Sequence, residues 1–150
     1  MDKILFTGFK GKNNSSATLA ERSGGEYLLL TNSFAGLKKD IDQIKEKYGL
    51  VIMFGVDKTL SSSVRIEKSA LKDGIKTSSS KDLEKIKKAL RSKRIEAKIS
   101  DNPRNCLCNE AYWHVLQKFS GNAVFIHIPT IKHADEIFTE KMISAEKEIL

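Results

Sequence analysis

Five short apolar runs recur along the chain: Ile4 to Phe9, Tyr27 to Leu30, Leu50 to Val56, Ile95 to Ile99 and Ala123 to Ile128. Each is rich in β-branched or aromatic residues and is too short for an ordinary helix, so each predicts a strand. Between them lie segments with helical spacing. Leu37, Ile41, Ile44 and Tyr48 are closed by Gly49, and Leu83, Ile86 and Leu90 follow a Ser79/Ser80 cap. Tyr112, Val115, Leu116 and Phe119 make a further stripe, and Ile137, Met142, Ala145 and Ile149 make the last. Alternation of this kind predicts an α/β chain: a three-layer αβα sandwich with helices on both faces of a mostly parallel central sheet. Val64 to Lys68 alternates as a short strand or an extended edge. The serine runs Ser61–Ser63 and Ser78–Ser80 flank a basic stretch and read as loops, and Gly24-Gly25 reads as a turn. No repeat or linker composition interrupts the sequence, so residues 1–150 are expected to form a single domain with 40% hydrophobic content to supply its core.

Lys and Arg number 26 against 19 Asp and Glu, a net charge of +7. The segment from Arg65 to Arg104, with 13 basic and 6 acidic residues, accounts for the whole excess. Lys81, Lys85, Lys88 and Arg91 have helical spacing and offer a stripe for an anionic partner, but such runs are usually solvated faces, so nucleic acid is the disfavoured reading. The two cysteines, Cys106 and Cys108, are too close in sequence to staple distant parts of a fold. The N-terminal residues have neither the charge pattern nor the apolar length of a signal peptide, and no run approaches a bilayer span. A reduced, cytoplasmic chain without membrane contact is expected.

Asn105-Cys106-Leu107-Cys108-Asn109 lies between a strand and the Tyr112 stripe, which puts a cysteine at a helix N-terminus. Unpaired N–H groups and the helix dipole favour thiolate there and can also receive an oxyanion. Both cysteines would equally serve as small buried hydrophobes. A metal site is the weaker reading, because no second cysteine pair is present and the histidines are not arranged as partners; no cofactor is expected. His127 lies near the C-terminal end of an apolar strand, where open α/β sheets place their ligand crevice, and is the best base candidate; a core histidine bonded to a carbonyl is the alternative. His114 and His133 read as structural or solvated residues. Glu67 reads either as a surface ion-pair partner or as the group that orients His127.

Four stretches taken in order, Lys3-Ile4-Leu5-Phe6-Thr7-Gly8-Phe9, Val64-Arg65-Ile66-Glu67-Lys68, Cys106-Leu107-Cys108-Asn109 and Phe125-Ile126-His127-Ile128-Pro129, resemble the landmarks of the pyroglutamyl peptidase type I family, the pyrrolidone-carboxylate peptidases. The resemblance spans the chain. It implies a cysteine peptidase that needs no metal and removes N-terminal pyroglutamate from peptides through a Cys-His-Glu triad. Matched by position, the nucleophile falls on Cys108, the base on His127 and the acidic member on Glu67. Phe9 falls on an aromatic residue that packs on the pyrrolidone ring, and Cys106 falls where the family usually has Tyr. Lys10-Gly11-Lys12-Asn13 stands where the family has a second ring-contacting Phe, so a more open pocket is expected in a shortened, divergent member. The expected partner is a peptide or small amide, with homo-oligomerisation left open. The alternatives are a hydrolase of another small N-acyl or lactam substrate, or a non-catalytic binding protein that uses the basic segment.

Overall fold

The computed structural model describes residues 3–150. In chain order the elements are β1 (Ile4–Phe9), α1 (Ser15–Arg22), β2 (Glu26–Leu30), α2 (Phe34–Asp42), β3 (Leu50–Val56), β4 (Ser63–Glu67), β5 (Ser69–Lys72), β6 (Ile75–Ser78), α3 (Leu83–Ser92), β7 (Glu96–Ser100), α4 (Leu107–Lys118), β8 (Ala123–Ile128) and α5 (Glu136–Ile149). Six strands form one sheet in the order β2-β1-β3-β8-β4-β7. Every neighbouring pair is parallel except β4 and β8, which are antiparallel.

Successive side chains on a strand point to opposite faces, and this sorts the core into two layers. Phe6, Ile52, Phe54, Val64, Ile66, Val124 and Ile126 meet Leu19 of α1, Ile86 and Leu90 of α3, and Met142 of α5. On the other face Leu5, Val51, Met53 and Phe125 meet Leu37 and Ile41 of α2 and Tyr112, Val115 and Leu116 of α4. The predicted three-layer αβα arrangement with a mostly parallel sheet is the architecture found. Among the described residues no helix is long and apolar enough to cross a membrane.

Local departures from the sequence expectations each have a physical reason. Val64 to Lys68 contributes an interior strand, β4, held between β8 and β7. The basic stretch between the two serine runs holds a hairpin of β5 and β6. Its two-residue turn, Asp73-Gly74, has φ values of 51° and 75°, the left-handed conformation that an Asp-Gly pair accepts at low cost. Helix α2 stops at Asp42, and Ile44 and Tyr48 reach the core from the following loop, where Tyr48 meets Phe119 edge-on at 6.1 Å. Apolar spacing alone does not distinguish that arrangement from a longer helix. Asp82, not Ser79 or Ser80, caps α3, because the two serine hydroxyls donate to the carbonyls of Ala123 and Gly121. Helix α1 has too short an apolar stripe to announce itself. It sits so close to β1 that a Cβ on Gly8 would come within 2.3 Å of the Ser16 carbonyl oxygen.

One buried carboxylate is out of keeping with its layer. Glu146 of α5 is 3% exposed; Oε1 accepts a bond from the Ser23 hydroxyl and Oε2 has no partner. Burial pushes its carboxyl up to about 8. The folded protein therefore keeps this proton at pH values where the unfolded chain, with an ordinary carboxyl near 4.5, has lost it. Stability contributed by the protonated form is complete below about pH 4.5 and is lost as the pH rises through 8. Glu146→Gln should match the parent at pH 5 and exceed it at pH 9 by at least ~1 kcal/mol, a Tm gain of about 2–4 °C. Thermal unfolding at the two pH values checks this; equal Tm differences at both would show that the carboxyl does not titrate in the fold.

Candidate active site

The alternation that builds the core also gathers the polar groups. Because Val64 and Ile66 point to the α1/α3/α5 layer, Arg65 and Glu67 point to the other; Ile126 and Ile128 leave His127 on that same face. The antiparallel register sets Arg65 opposite His127 and Glu67 opposite Phe125, so Glu67 reaches His127 along the diagonal. The His127 Nδ1–H donates to Glu67 Oε2 at 2.7 Å, which leaves Nε2 as the acceptor nitrogen. The Phe125 ring lies 4.8 Å from the imidazole centroid and limits its tilt.

A third charged group, Arg65, completes this arrangement. Its Nε donates to the same Glu67 oxygen at 2.7 Å, and its Nη2 pairs with Asp57 at 2.8 Å. Burial weakens the Arg65 charge, but the two carboxylates more than restore it and hold it protonated. Burial likewise raises Asp57; hydrogen bonds from the Thr59 hydroxyl and backbone, with the guanidinium, outweigh it and keep the carboxyl well below its usual range. Tyr112 donates its hydroxyl to the Glu67 carbonyl at 2.8 Å, fixing the strand end from the helix side.

Helix α4 brings the cysteines to this place. Cys106 is its N-cap residue and Cys108 lies in its first turn. The first backbone bond of the helix runs from the Glu110 N–H to the Cys106 carbonyl, so the N–H groups of Leu107, Cys108 and Asn109 precede the ladder. Cys108 Sγ lies over Gly55 of β3, the cross-strand neighbour of His127. The two thiols are within hydrogen-bond reach of each other, Cys106 exposed and Cys108 half-buried. The bond from the Cys108 thiol lowers Cys106 to about 5, helped by the nearby Asn109 and Cys108 amides and by His127, against the opposing effect of burial. The Cys106 anion and burial in turn push the Cys108 thiol well up. The two thiols thus shift in opposite directions, the outer one towards thiolate and the inner one towards thiol, whereas the sequence points to Cys108 as the more reactive thiol. Among the described residues, no hydrogen bond joins Cys108 to His127.

These groups line a cavity of about 820 Å³ together with Asn102, Pro103 and Arg104, towards the upper end of the ~300–1,000 Å³ of small-molecule sites. Cys108, His127 and Glu67 all line this cavity. Phe9 is not among the lining residues: it is 5% exposed and packs with Leu30 and Leu37. The aromatic lining comes from Tyr112 and Phe125. His114 bonds Glu110 at 2.9 Å within α4 and does not line the cavity, and His133 lies in the turn before α5. Among the described residues no group of three or more His, Cys, Asp or Glu side chains could hold a metal ion. Sequence reasoning gave no role to Arg65, Asp57 and Gly55. Only Gly55 carried a readable signal, a glycine inside an apolar strand, which often marks a close approach.

A methyl group on Gly55 would lie 2.7 Å from Cys108 Sγ and 2.6 Å from the Phe125 ring. Gly55→Ala should therefore lower stability by about 1–3 kcal/mol and alter the alkylation rate of Cys108. Thermal unfolding and peptide mapping after iodoacetamide check both. An unchanged Tm with unchanged labelling would place α4 further from β3 than described.

No protein-family model matches the sequence, and no curated protein matches it. Solved structures do resemble the fold. The pyrrolidone carboxyl peptidase of Thermococcus litoralis superposes with a TM-score of 0.78 at 21% identity, over 99% of this chain and 93% of the other. Bacillus amyloliquefaciens pyroglutamyl peptidase I gives 0.83 at 16% identity, over 99% and 94%. The pyrrolidone carboxyl peptidase of Thermus thermophilus gives 0.79 at 16% identity, over 97% and 99%. Over nearly its whole length, this chain has the fold of the pyrrolidone carboxyl peptidases.

Proposed function

We propose that the chain is a divergent member of that family and a cysteine hydrolase acting on N-terminal pyroglutamyl amide bonds of peptides. Cys108 serves as nucleophile, His127 as proton carrier and Glu67 as the group that orients His127. The observation that carries the reading is the placement of the Cys108 thiol over Gly55, next to a His127–Glu67 pair bonded at 2.7 Å, at a helix N-terminus inside a cavity.

The chemistry runs in two displacements. Cys108 gives its proton to His127 Nε2, and the sulfur attacks the substrate carbonyl carbon. The oxygen takes negative charge against the N–H groups at the start of α4. His127 passes its proton to the leaving amine, and the C–N bond breaks to leave an acyl thioester. Water, deprotonated by His127, then releases the acid and restores the thiol. Throughout, the Glu67 carboxylate faces the imidazolium while Arg65 keeps that carboxylate from rotating. The Cys106 anion opposes the first step, because it stabilises the proton on Cys108.

A fluorogenic pyroglutamyl amide, compared with ordinary aminoacyl amides, tests the reading. The expected result is hydrolysis of the pyroglutamyl amide alone among these, lowered by roughly 10²–10⁴ in His127→Ala and little changed in His114→Ala and His133→Ala. Equal losses in all three, or no cleavage, would overturn it. With Phe9 buried and Lys10 to Asn13 offering no second aromatic wall, discrimination against altered acyl rings should be weak, within the ~10–200-fold that one apolar contact supplies.

Cys106→Ala removes the anion that holds the proton on Cys108. The Cys108 pKa should fall, moving the acid limb of the kcat/KM profile to lower pH by about one unit or more. An unshifted limb would show that the two thiols do not share their charge.

A further inference from the structure

Hydrolysis through Cys108 uses one sulfur of two. Cys106 adds nothing to either core cluster and forms no side-chain cap on α4; its thiol is exposed at the cavity that Cys108 also lines. We infer that the pair is a site of reversible oxidation by small hydroperoxides, in which Cys106 is oxidised first and Cys108 closes a Cys106–Cys108 disulfide. Three features favour this order. The outer sulfur is the accessible one and the one shifted towards thiolate, the form that attacks peroxide. The inner sulfur lines the same cavity from the first turn of α4, two residues along the chain, where it can reach an oxidised Cys106. The cavity is wide enough to admit a hydroperoxide to Cys106.

In the first step the Cys106 sulfur attacks one peroxide oxygen. An S–O bond forms as the O–O bond breaks, the sulfur gives up two electrons, and the departing oxygen leaves as water or an alcohol after taking a proton. In the second, Cys108 loses its proton and its sulfur attacks the Cys106 sulfenic acid. The S–S bond forms, the S–O bond breaks and water leaves. Two thiols and one hydroperoxide thus give one disulfide, one water and one water or alcohol. A dithiol reverses the change by exchange and is itself oxidised. With a single residue between the cysteines the ring is small and strained, and strained disulfides are the more easily reduced. Closing the bond consumes the Cys108 sulfur, so the oxidised form cannot carry out the proposed hydrolysis.

Trypsin releases Asn105 to Lys118 as one peptide that holds both cysteines, and mass spectrometry of this peptide needs no substrate. Treated with one equivalent of hydrogen peroxide near neutral pH, the wild-type peptide should lose two hydrogens, resist iodoacetamide, and recover both thiols in dithiothreitol. Cys106→Ser should instead gain oxygen at Cys108, and Cys108→Ser should give a sulfenic acid at Cys106 that dimedone traps. Oxygen gain on the wild-type peptide, a disulfide between chains, or no reaction under excess peroxide would overturn the inference. If the pyroglutamyl amide is not cleaved, the mass change still decides the redox question. If it is cleaved, peroxide should abolish turnover and dithiothreitol restore it.

Discussion

The antiparallel pairing of β4 with β8 fixes everything built around the cavity. It is the one reversed step in the sheet, and its register sets Arg65 against His127 and Glu67 against Phe125. A shift of one residue would exchange the faces of β4, sending Val64 and Ile66 into the polar site and Glu67 into the layer beneath α3. Both outcomes strand polar or apolar groups in the wrong surroundings, so core packing and site assembly enforce the same register. The imidazole thus owes its orientation to strand pairing as much as to its own hydrogen bond.

The charged trio of Asp57, Arg65 and Glu67 shows why such a site is stable. Each group is partly withdrawn from water, which costs free energy unless every charge is matched. Arg65 meets both carboxylates, and the Thr59 hydroxyl and amide take up further acceptor capacity on Asp57. One Glu67 oxygen accepts from two donors, Arg65 Nε and His127 Nδ1. The carboxylate is thereby held from two directions, a better restraint on imidazole orientation than a single bond would give.

Much of this was legible in the sequence, and what was not has definite causes. The strands of the central sheet announced themselves through β-branched and aromatic runs, and four stretches that resemble one family's landmarks pointed to Cys108, His127 and Glu67. Arg65 was visible but mute, because a cation beside a glutamate two residues away is as common on a surface as in a site. Phe9 read as a ring-packing residue through the family resemblance, yet the α2 and α4 layer covers it. The Asp73-Gly74 turn was a direct hairpin signal, obscured by the serine and lysine content around it. The opposite shifts of Cys106 and Cys108 have no sequence signature, since one thiol is exposed and the other half-buried.

The Asn109 side chain has a consequence beyond the cavity. Its amide oxygen accepts the Leu71 N–H at 2.9 Å and its amide nitrogen donates to the Leu71 carbonyl at 2.8 Å. A side chain thus imitates the backbone of a neighbouring strand along the outer edge of the β5–β6 hairpin. Open edges recruit other chains, the more so where apolar residues are exposed, as Leu71 and Ile75 are here. By occupying both backbone groups of Leu71, Asn109 closes the β5 edge at that residue to strand addition by another chain.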